Sequence, residues 1–176
     1  KEFYTAMAWP EDVWNFAPLQ EGKTPVLQNG DSNMTTMLQM KEISSVDDLR
    51  KIKDDLGGAY VLTTDLDVSE IAEGNAIILG SFRGLLRGNG HQIIGMKLPL
   101  FETLAGASVE ELKLTQGSIG KKDTDQVAAL AKVSESGTTL RHVYVRDMSI
   151  TGRTTVGGMI AVMKQTTAEA CSVNAE

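Results

Sequence analysis

Residues 109–119 read Val-Glu-Glu-Leu-Lys-Leu-Thr-Gln-Gly-Ser-Ile, and residues 140–150 read Leu-Arg-His-Val-Tyr-Val-Arg-Asp-Met-Ser-Ile. The two stretches share an apolar-x-x-apolar-x-apolar pattern that recurs after 31 positions. A third copy starts 28 positions later, with Ala168, Cys171 and Val173. Short apolar runs that repeat about every 30 residues indicate stacked strand-and-turn units. The pattern therefore predicts a parallel β-solenoid in which each coil buries one face against the next.

One helix precedes the repeats. Ser44 and Ser45 stand three residues before Asp47 and Asp48, a variant of the capping box with acids at the positive end of the helix dipole. A single apolar face and a Gly-Gly stop follow, comprising Val46, Leu49, Ile52, Leu56, Gly57 and Gly58. We expect helix 45–56 to cap the first coil. The predicted fold class is mainly β: a right-handed parallel β-helix (β-solenoid) with one N-terminal capping α-helix.

Composition divides the chain into three parts. Residues 1–28 hold three of the four prolines and both tryptophans, and we interpret them as the end of a preceding repeat or domain. An Asn-Gly-Asp cluster marks residues 29–43 as a connector. Residues 44–176 are the predicted solenoid module, whose last coil is unfinished, so we expect the parent protein to continue beyond it.

Length, charge and cysteine content exclude several classes of protein. The 176 residues carry a net charge of −6 and a pI near 5.0, which disfavours a general nucleic-acid binder. The longest apolar stretch, residues 156–163, is far shorter than the roughly 20 residues of a membrane span. One cysteine, Cys171, can form no internal disulfide, and its repeat position predicts a small buried side chain.

Two motifs resemble ligand-binding loops without meeting their requirements. Residues 17–24, Ala-Pro-Leu-Gln-Glu-Gly-Lys-Thr, match a phosphate-binding loop except at the first glycine, and Pro18 removes a backbone donor. Asp65, Asp67 and Ser69 occupy the first three ligand positions of a calcium loop. That loop needs glycine at its sixth position and glutamate at its twelfth, where this chain has Glu70 and Ala76. We interpret the acids as the solvated end of a strand.

The two histidines offer no catalytic motif. His91 and His142 are 51 residues apart, neither lies in His-Glu-x-x-His, and alternation places His142 on an outer face. No serine has a nucleophile-elbow context. Four glycines, Gly84, Gly88, Gly90 and Gly95, do not form a dinucleotide-binding fingerprint and are interpreted as bends between coils. We therefore assign no catalytic, cofactor-binding or metal-binding residue to this chain.

An ordered series of motifs resembles the non-catalytic N-terminal domain of the streptococcal zinc metalloproteases that include the immunoglobulin A proteases. It is also similar to the GLUG-type repeats of bacterial surface proteins. The resemblance covers residues 42–176 and rests on five stretches: Ile43-Ser-Ser-Val-Asp-Asp-Leu49, Tyr60-Val-Leu-Thr-Thr-Asp65, Phe82-x-Gly84-x-Leu86-x-Gly88-Asn89-Gly90-His91, Leu100-Phe101-x-x-Leu104 and Val109-x-x-Leu112-x-Leu114. Two further stretches, Val127-Ala-Ala-Leu-Ala131 and Val156-Gly-Gly158, extend it.

The resemblance implies a Gram-positive protein that is secreted or attached to the cell wall. It implies that zinc and the catalytic motif belong to a later domain, so the parent would be a zinc metalloendopeptidase while this part has no activity. The expected partners are other domains of the same chain and a host protein substrate, such as immunoglobulin A, with no nucleic acid and no membrane insertion. Two alternatives stay open: a repeat module of a bacterial adhesin or surface protein without protease activity, and a polysaccharide-active β-helix enzyme. The second would need a cluster of carboxylates on one face.

Overall fold

The computed structural model describes residues 40–175, together with the backbone of two short strands nearer the N-terminus. Those strands, β1 (Trp14–Asn15) and β2 (Val26–Leu27), pair antiparallel. The chain divides into two compact units, Lys1–Met40 and Lys41–Glu176, and the fold below is that of the second unit. The phosphate-loop look-alike at residues 17–24 lies outside the described residues, and the predicted bounds of parts 1–28 and 29–43 stay predictions.

Three parallel sheets form the second unit. Sheet 1 contains β3, β4, β7, β10, β13 and β16, sheet 2 contains β5, β8, β11, β14 and β17, and sheet 3 contains β6, β9, β12 and β15. The strands are β3 (Lys41–Ile43), β4 (Ala59–Leu62), β5 (Leu66–Asp67), β6 (Ile78–Phe82), β7 (Leu85–Arg87), β8 (Gln92–Ile94), β9 (Phe101–Ala105), β10 (Ser108–Glu110), β11 (Lys113–Ile119), β12 (Ala131–Glu135), β13 (Thr138–Arg141), β14 (Tyr144–Ile150), β15 (Ile160–Met163), β16 (Thr166–Glu169) and β17 (Ser172–Ala175).

Successive strands visit the three sheets in turn, which is the path of a solenoid. The strands from β4 to β15 complete four coils, and β16 and β17 begin another. The predicted fold class, a mainly β parallel solenoid with one short helix near its N-terminal side, is confirmed. Strand β3 contributes Lys41–Ile43 to sheet 1, so the solenoid unit includes the last three residues of the predicted connector.

The strand register matches the sequence repeat. Val109 pairs with Leu140, and Leu114 pairs with Val145, each 31 positions on. Val145 in turn pairs with Val173, 28 positions on. The earlier coils are shorter. Ala59 pairs with Leu85, 26 positions on, and Leu85 pairs with Ser108, 23 positions on. The period is therefore variable, which is why the repeat is visible in the sequence only from residue 109 onward.

The interior is a column of aliphatic side chains. The repeat residues Leu112, Leu114, Leu140, Val143 and Val145 all have no measurable exposure. Two aromatic rings lie among them, Phe82 and Phe101, stacked with their centroids 4.9 Å apart. Burying each such side chain contributes roughly 1.5–3 kcal/mol, so the stacked column is the main source of stability.

The helix is shorter than its predicted span of 45–56. Helix α1 (Val46–Lys51) is followed by a single 3-10 turn (Ile52–Asp54). Ser45 is the N-cap, and its hydroxyl oxygen accepts the Asp48 backbone N–H at 3.2 Å. The hydroxyl also donates to the Asp48 carboxylate, which is the main reason that the pKa of Asp48 lies below its ordinary value. Leu49 and Ile52 are fully buried in the same core as the coils.

Glycines supply only part of the bends between strands. Gly90 and Gly95 have positive φ, whereas a Cβ at Gly84 would clash with the carbonyl oxygen of Gly58 in the neighbouring coil. At the corner between sheets 1 and 2, Glu111 and His142 adopt left-handed conformations with φ of 52° and 53°. Non-glycine residues in that region are uncommon. Their repetition in successive coils shows that the stacked backbone imposes the corner geometry.

Candidate recognition surface

The acids of the calcium-loop look-alike are engaged by neighbouring residues. The Asp65 carboxylate accepts hydrogen bonds from the Gln92 backbone N–H (3.2 Å) and side-chain amide (2.8 Å), and it lies 3.1 Å from Nδ1 of His91. The Gln92 side chain is the main reason that the pKa of Asp65 is lowered. Asp67 accepts the Ser69 backbone N–H at 2.9 Å. This arrangement agrees with the interpretation of Asp65 and Asp67 as strand-end acids.

The two histidines lie in separate places. His91 contacts Asp65, whereas His142 lies at a corner between sheets, exposed as its position in the repeat predicts. His142 donates its backbone N–H to the carbonyl oxygen of Glu169 at 3.0 Å, which ties the corner to the next coil. No group of three or more His, Cys, Asp or Glu side chains among the described residues could hold a metal ion.

Cys171 is only half-buried, so the prediction of a buried side chain is wrong in degree. It packs against the edge of the core, and its thiol donates to the carbonyl oxygen of Glu169 at 3.3 Å. The residues at the same repeat position in the preceding coils, Leu112 and Val143, are fully buried. The difference arises because no described residue stacks over this last coil.

The outer face of sheet 1 carries a ladder of alternating charge. Glu110 pairs in register with Arg87 on one side and Arg141 on the other, and Arg141 pairs with Glu169. Ion pairs join Arg87 to Glu110 (3.0 Å) and Arg141 to Glu169 (3.3 Å). Such partly exposed pairs contribute about 0–1 kcal/mol each. Because its charges satisfy one another, this face offers little unpaired charge to a partner.

A concave site of about 620 Å³ lies where sheet 2 turns toward sheet 3. We call it the lysine groove, because Lys97, Lys121 and Lys132 are its charged residues. Its larger apolar lining residues are Leu98, Pro99, Ile119 and Val127, of which only Leu98 is not buried. The remaining lining residues are small or uncharged: Ala72, Gly74, Asn75, Ser118, Gly120, Thr124 and Gln126.

The groove is assembled from three successive coils. Residues 72–75 come from the first, Lys97–Pro99 from the second and residues 118–132 from the third. Ser118 N–H donates to Met96 O at 2.9 Å, which joins the second wall to the third. Lys121 N–H donates to Thr124 Oγ1, and Thr124 N–H donates to Lys121 O, both at 2.9 Å. The loop that carries Lys121 is therefore a closed turn with a defined conformation.

Three lysines supply all the charge in the lining of the lysine groove. No ion pair among the described residues includes any of its three lysines, and no carboxylate lines it. Five carboxylates lie near it in the chain or on adjoining strands, and none of them lines it: Asp67, Glu73, Glu102, Asp123 and Asp125. Asp125 pairs with Arg153 at 2.6 Å. Hydrogen bonds from Ser69 are the main reason that the pKa of Asp67 is lowered, with a smaller contribution from the charge of Lys97, and Glu102 accepts the Gly80 N–H at 2.9 Å. The groove can therefore attract an anionic group beside an apolar one.

Sequence reasoning missed the groove because its residues form no local motif. Lys97, Lys121 and Lys132 are 24 and 11 positions apart, and they meet only when two coils of different length are stacked in register. The one available signal was the change in charge along the chain, from −8 over residues 1–75 to +2 over the remainder. That signal locates positive charge in the solenoid without identifying a site.

The comparisons with known proteins agree with this fold. The family model described as the M26 IgA1-specific metallo-endopeptidase N-terminal region matches residues 39–147. The chain belongs to this family. The match confirms the resemblance that the sequence motifs predicted.

Relatives of this M26 N-terminal region are streptococcal. An immunoglobulin A1 protease of Streptococcus pneumoniae is 34% identical over 125 residues, which is 66% of this chain and 6% of that protein. The zinc metalloprotease ZmpC of Streptococcus pneumoniae serotype 4 is 33% identical over 125 residues, 67% of this chain and 6% of that protein. An immunoglobulin A1 protease of Streptococcus sanguinis is 34% identical over 119 residues. The chain thus spans about 6% of the length of the curated relatives it matches.

A solved structure shares the fold of this M26 region. The protein titled "IgA1 Protease" superposes with a TM-score of 0.58 at 20% identity, over 76% of this chain and 14% of that one. At that identity the likeness shows the fold. Among the described residues, no helix is both long and apolar enough to cross a membrane.

Proposed function

We propose that this chain is a non-catalytic β-solenoid module of a zinc metalloendopeptidase that is secreted by, or attached to the cell wall of, a Gram-positive bacterium. Its role in that protein is to recognise a host glycoprotein substrate such as immunoglobulin A. Membership of the M26 N-terminal family and the names of the relatives support the parent's activity. A role in virulence follows from a host substrate.

The lysine groove is the observation that favours recognition over mere spacing. A spacer needs only stacked coils whose surface charges pair with one another, as they do on the outer face of sheet 1. The groove instead presents three lysines that form no ion pair among the described residues, beside apolar surface in a concave site. Ligand sites commonly combine a concave shape and apolar walls with a few charged groups.

Zinc, if the parent binds it, is held by residues other than those described here. A catalytic zinc site needs three protein ligands, commonly two histidines and a carboxylate, and an open position. Residues 40–175 provide no such group, since His91 and His142 lie apart and Asp65 is engaged by Gln92. We propose that another part of the parent protein carries out the reaction and that this module contributes binding.

Equilibrium binding of the 176-residue chain to immobilised immunoglobulin A1 tests this proposal. We expect a Kd of about 1 μM or tighter, near −8 kcal/mol. Immunoglobulin G coupled at the same density is the control, and it should give no signal. Absence of binding to immunoglobulin A1 up to about 100 μM would contradict recognition and favour a spacer or an adhesin repeat with another partner.

A further inference from the structure

The lysine groove has the opposite charge from the chain that contains it. The whole chain carries a net charge of −6, yet the groove contributes three positive side chains and no carboxylate to its lining. Like charges on other surfaces repel an acidic ligand, and the groove therefore concentrates the attraction at one place. An anionic partner should bind there in preference to the rest of the module.

Apolar surface lies directly beside the three lysines. This surface comes from Leu98, which is half-buried, and from Ala72, which is exposed, because Pro99, Ile119 and Val127 are buried beneath it. A free phosphate or a bare carboxylate would leave this surface in contact with water. A ligand that covers both regions must carry apolar groups next to its negative charges.

A peptide meets this requirement better than a glycan. Protein sites that take sugars commonly present an aromatic ring, and no Phe, Tyr or Trp lines the groove. In an extended peptide, successive side chains point to opposite faces. Alternation of acidic and apolar residues would direct the apolar side chains toward Leu98 on one face of the peptide and the carboxylates toward the lysines on the other.

The groove is also largely formed before any ligand arrives. Gly120 has a φ of 80°, and a Cβ at this position would clash with Thr151 O of the next coil, which fixes the start of the Lys121 loop. The loop's far end is held by Arg153 N–H, which donates to Thr124 O at 2.7 Å. A pre-formed site loses less entropy on binding than a flexible one.

From these observations we infer that the lysine groove binds an extended acidic peptide segment in which carboxylate and apolar side chains alternate. The inference rests on the proposed function, because it specifies which chemical feature of a protein substrate the module would read. It assigns charge recognition to Lys97, Lys121 and Lys132 and apolar contact to the surface around Leu98.

The test uses the 176-residue chain and a fluorescein-labelled peptide, Glu-Leu-Glu-Val-Asp-Leu, measured by fluorescence anisotropy. The groove variant carries Lys97→Gln, Lys121→Gln and Lys132→Gln. The matched control variant carries Lys53→Gln, Lys113→Gln and Lys164→Gln, three exposed lysines that form no ion pair among the described residues. Both variants change the net charge by the same amount, so a general electrostatic effect would weaken binding equally in both.

We expect the peptide to bind the unmodified chain and the control variant with similar affinity, and the groove variant at least about tenfold more weakly. Added salt should weaken binding to the unmodified chain. Equal affinity for both variants would overturn the inference, as would no change in anisotropy up to about 1 mM peptide. Equal binding of Glu-Ser-Glu-Ser-Asp-Ser would overturn the apolar part, and binding of a sialylated trisaccharide in place of the peptide would overturn the choice of ligand.

Two further measurements keep the result interpretable. If the groove variant fails to fold, amide chemical shifts of the unmodified chain report the site instead, and peptide-induced shifts confined to residues outside 72–75, 97–99 and 118–132 would contradict the inference. If the groove variant still binds immunoglobulin A1 like the unmodified chain, the inference fails while the proposed function stands. If the unmodified chain does not bind immunoglobulin A1, the proposed function fails. The peptide titration then tests by itself whether the groove binds an acidic peptide.

Discussion

The two ends of the described solenoid differ in what lies over the outermost coil. At the N-terminal side, α1 and the 3-10 turn place Leu49 and Ile52 in the core, and both side chains are fully buried. At the other side, β17 carries Val173, which is 48% exposed, although its register partner Val145 in β14 is fully buried. The same repeat position is thus interior in one coil and half-open in the next.

The burial of a residue in a solenoid therefore depends on whether a neighbouring coil covers it as much as on the type of residue. Each coil presents one end to the coil before it and one end to the coil after it. Val145 is covered because β17 follows it, whereas no described residue follows β17 in sheet 2. Stability should therefore be unevenly distributed, highest in the middle coils and lowest in the last strands.

The largest expected effect concerns the covered end. Leu49→Ala should lower the free energy of unfolding by about 2–5 kcal/mol, because it removes a fully buried side chain and leaves a cavity between the helix and the first coil. Leu79→Ala is the matched control: Leu79 is 46% exposed on β6, and we expect a loss below about 1 kcal/mol. Urea unfolding measures both. We predict that the helix caps the solenoid, and equal losses of stability in the two variants would contradict that prediction.

A smaller effect compares the same substitution at two repeat positions. Val145→Ala should cost about 2 kcal/mol, since it removes apolar surface that is fully buried. Val173→Ala removes the same atoms from a half-exposed position and should cost about 0.5 kcal/mol or less. Thermal unfolding of the two variants gives the comparison. If Val173→Ala costs as much as Val145→Ala, then a partner chain or another segment covers the last coil in solution.

Much of the fold could be predicted because its determinants are local and periodic. The pattern around Val109 and Leu140 specified parallel stacking, and the capping residue Ser45 specified where the helix begins. The 3-10 end of the helix and the exposure of Cys171 could not be predicted, because they depend on packing at particular coil ends. The left-handed corner was also hidden, since Glu111, which occupies it in the coil before His142, is not among the residue types enriched at positive φ.

The candidate site was less accessible to sequence reasoning than the fold. The three lysines of the groove belong to coils of 23 and 31 residues, so their spacing bears no fixed relation to the repeat. The acids that drew attention, Asp65 and Asp67, turned out to accept hydrogen bonds from nearby residues. Sites built from several coils require the register of each pair of strands, and unequal coil lengths conceal that register in the sequence.

We propose that this module recognises substrate while the chemistry occurs elsewhere in the parent protein. The most direct test is the cleavage of immunoglobulin A1 by the full-length parent with and without residues 41–176. Loss of binding that is equal in the ground state and transition state raises KM and leaves kcat unchanged. We predict that the deletion raises KM at least about tenfold with kcat unchanged. Unchanged KM and kcat would contradict a role in substrate recognition. A fall in kcat alone would show that the module takes part in the reaction, which would also contradict the proposal.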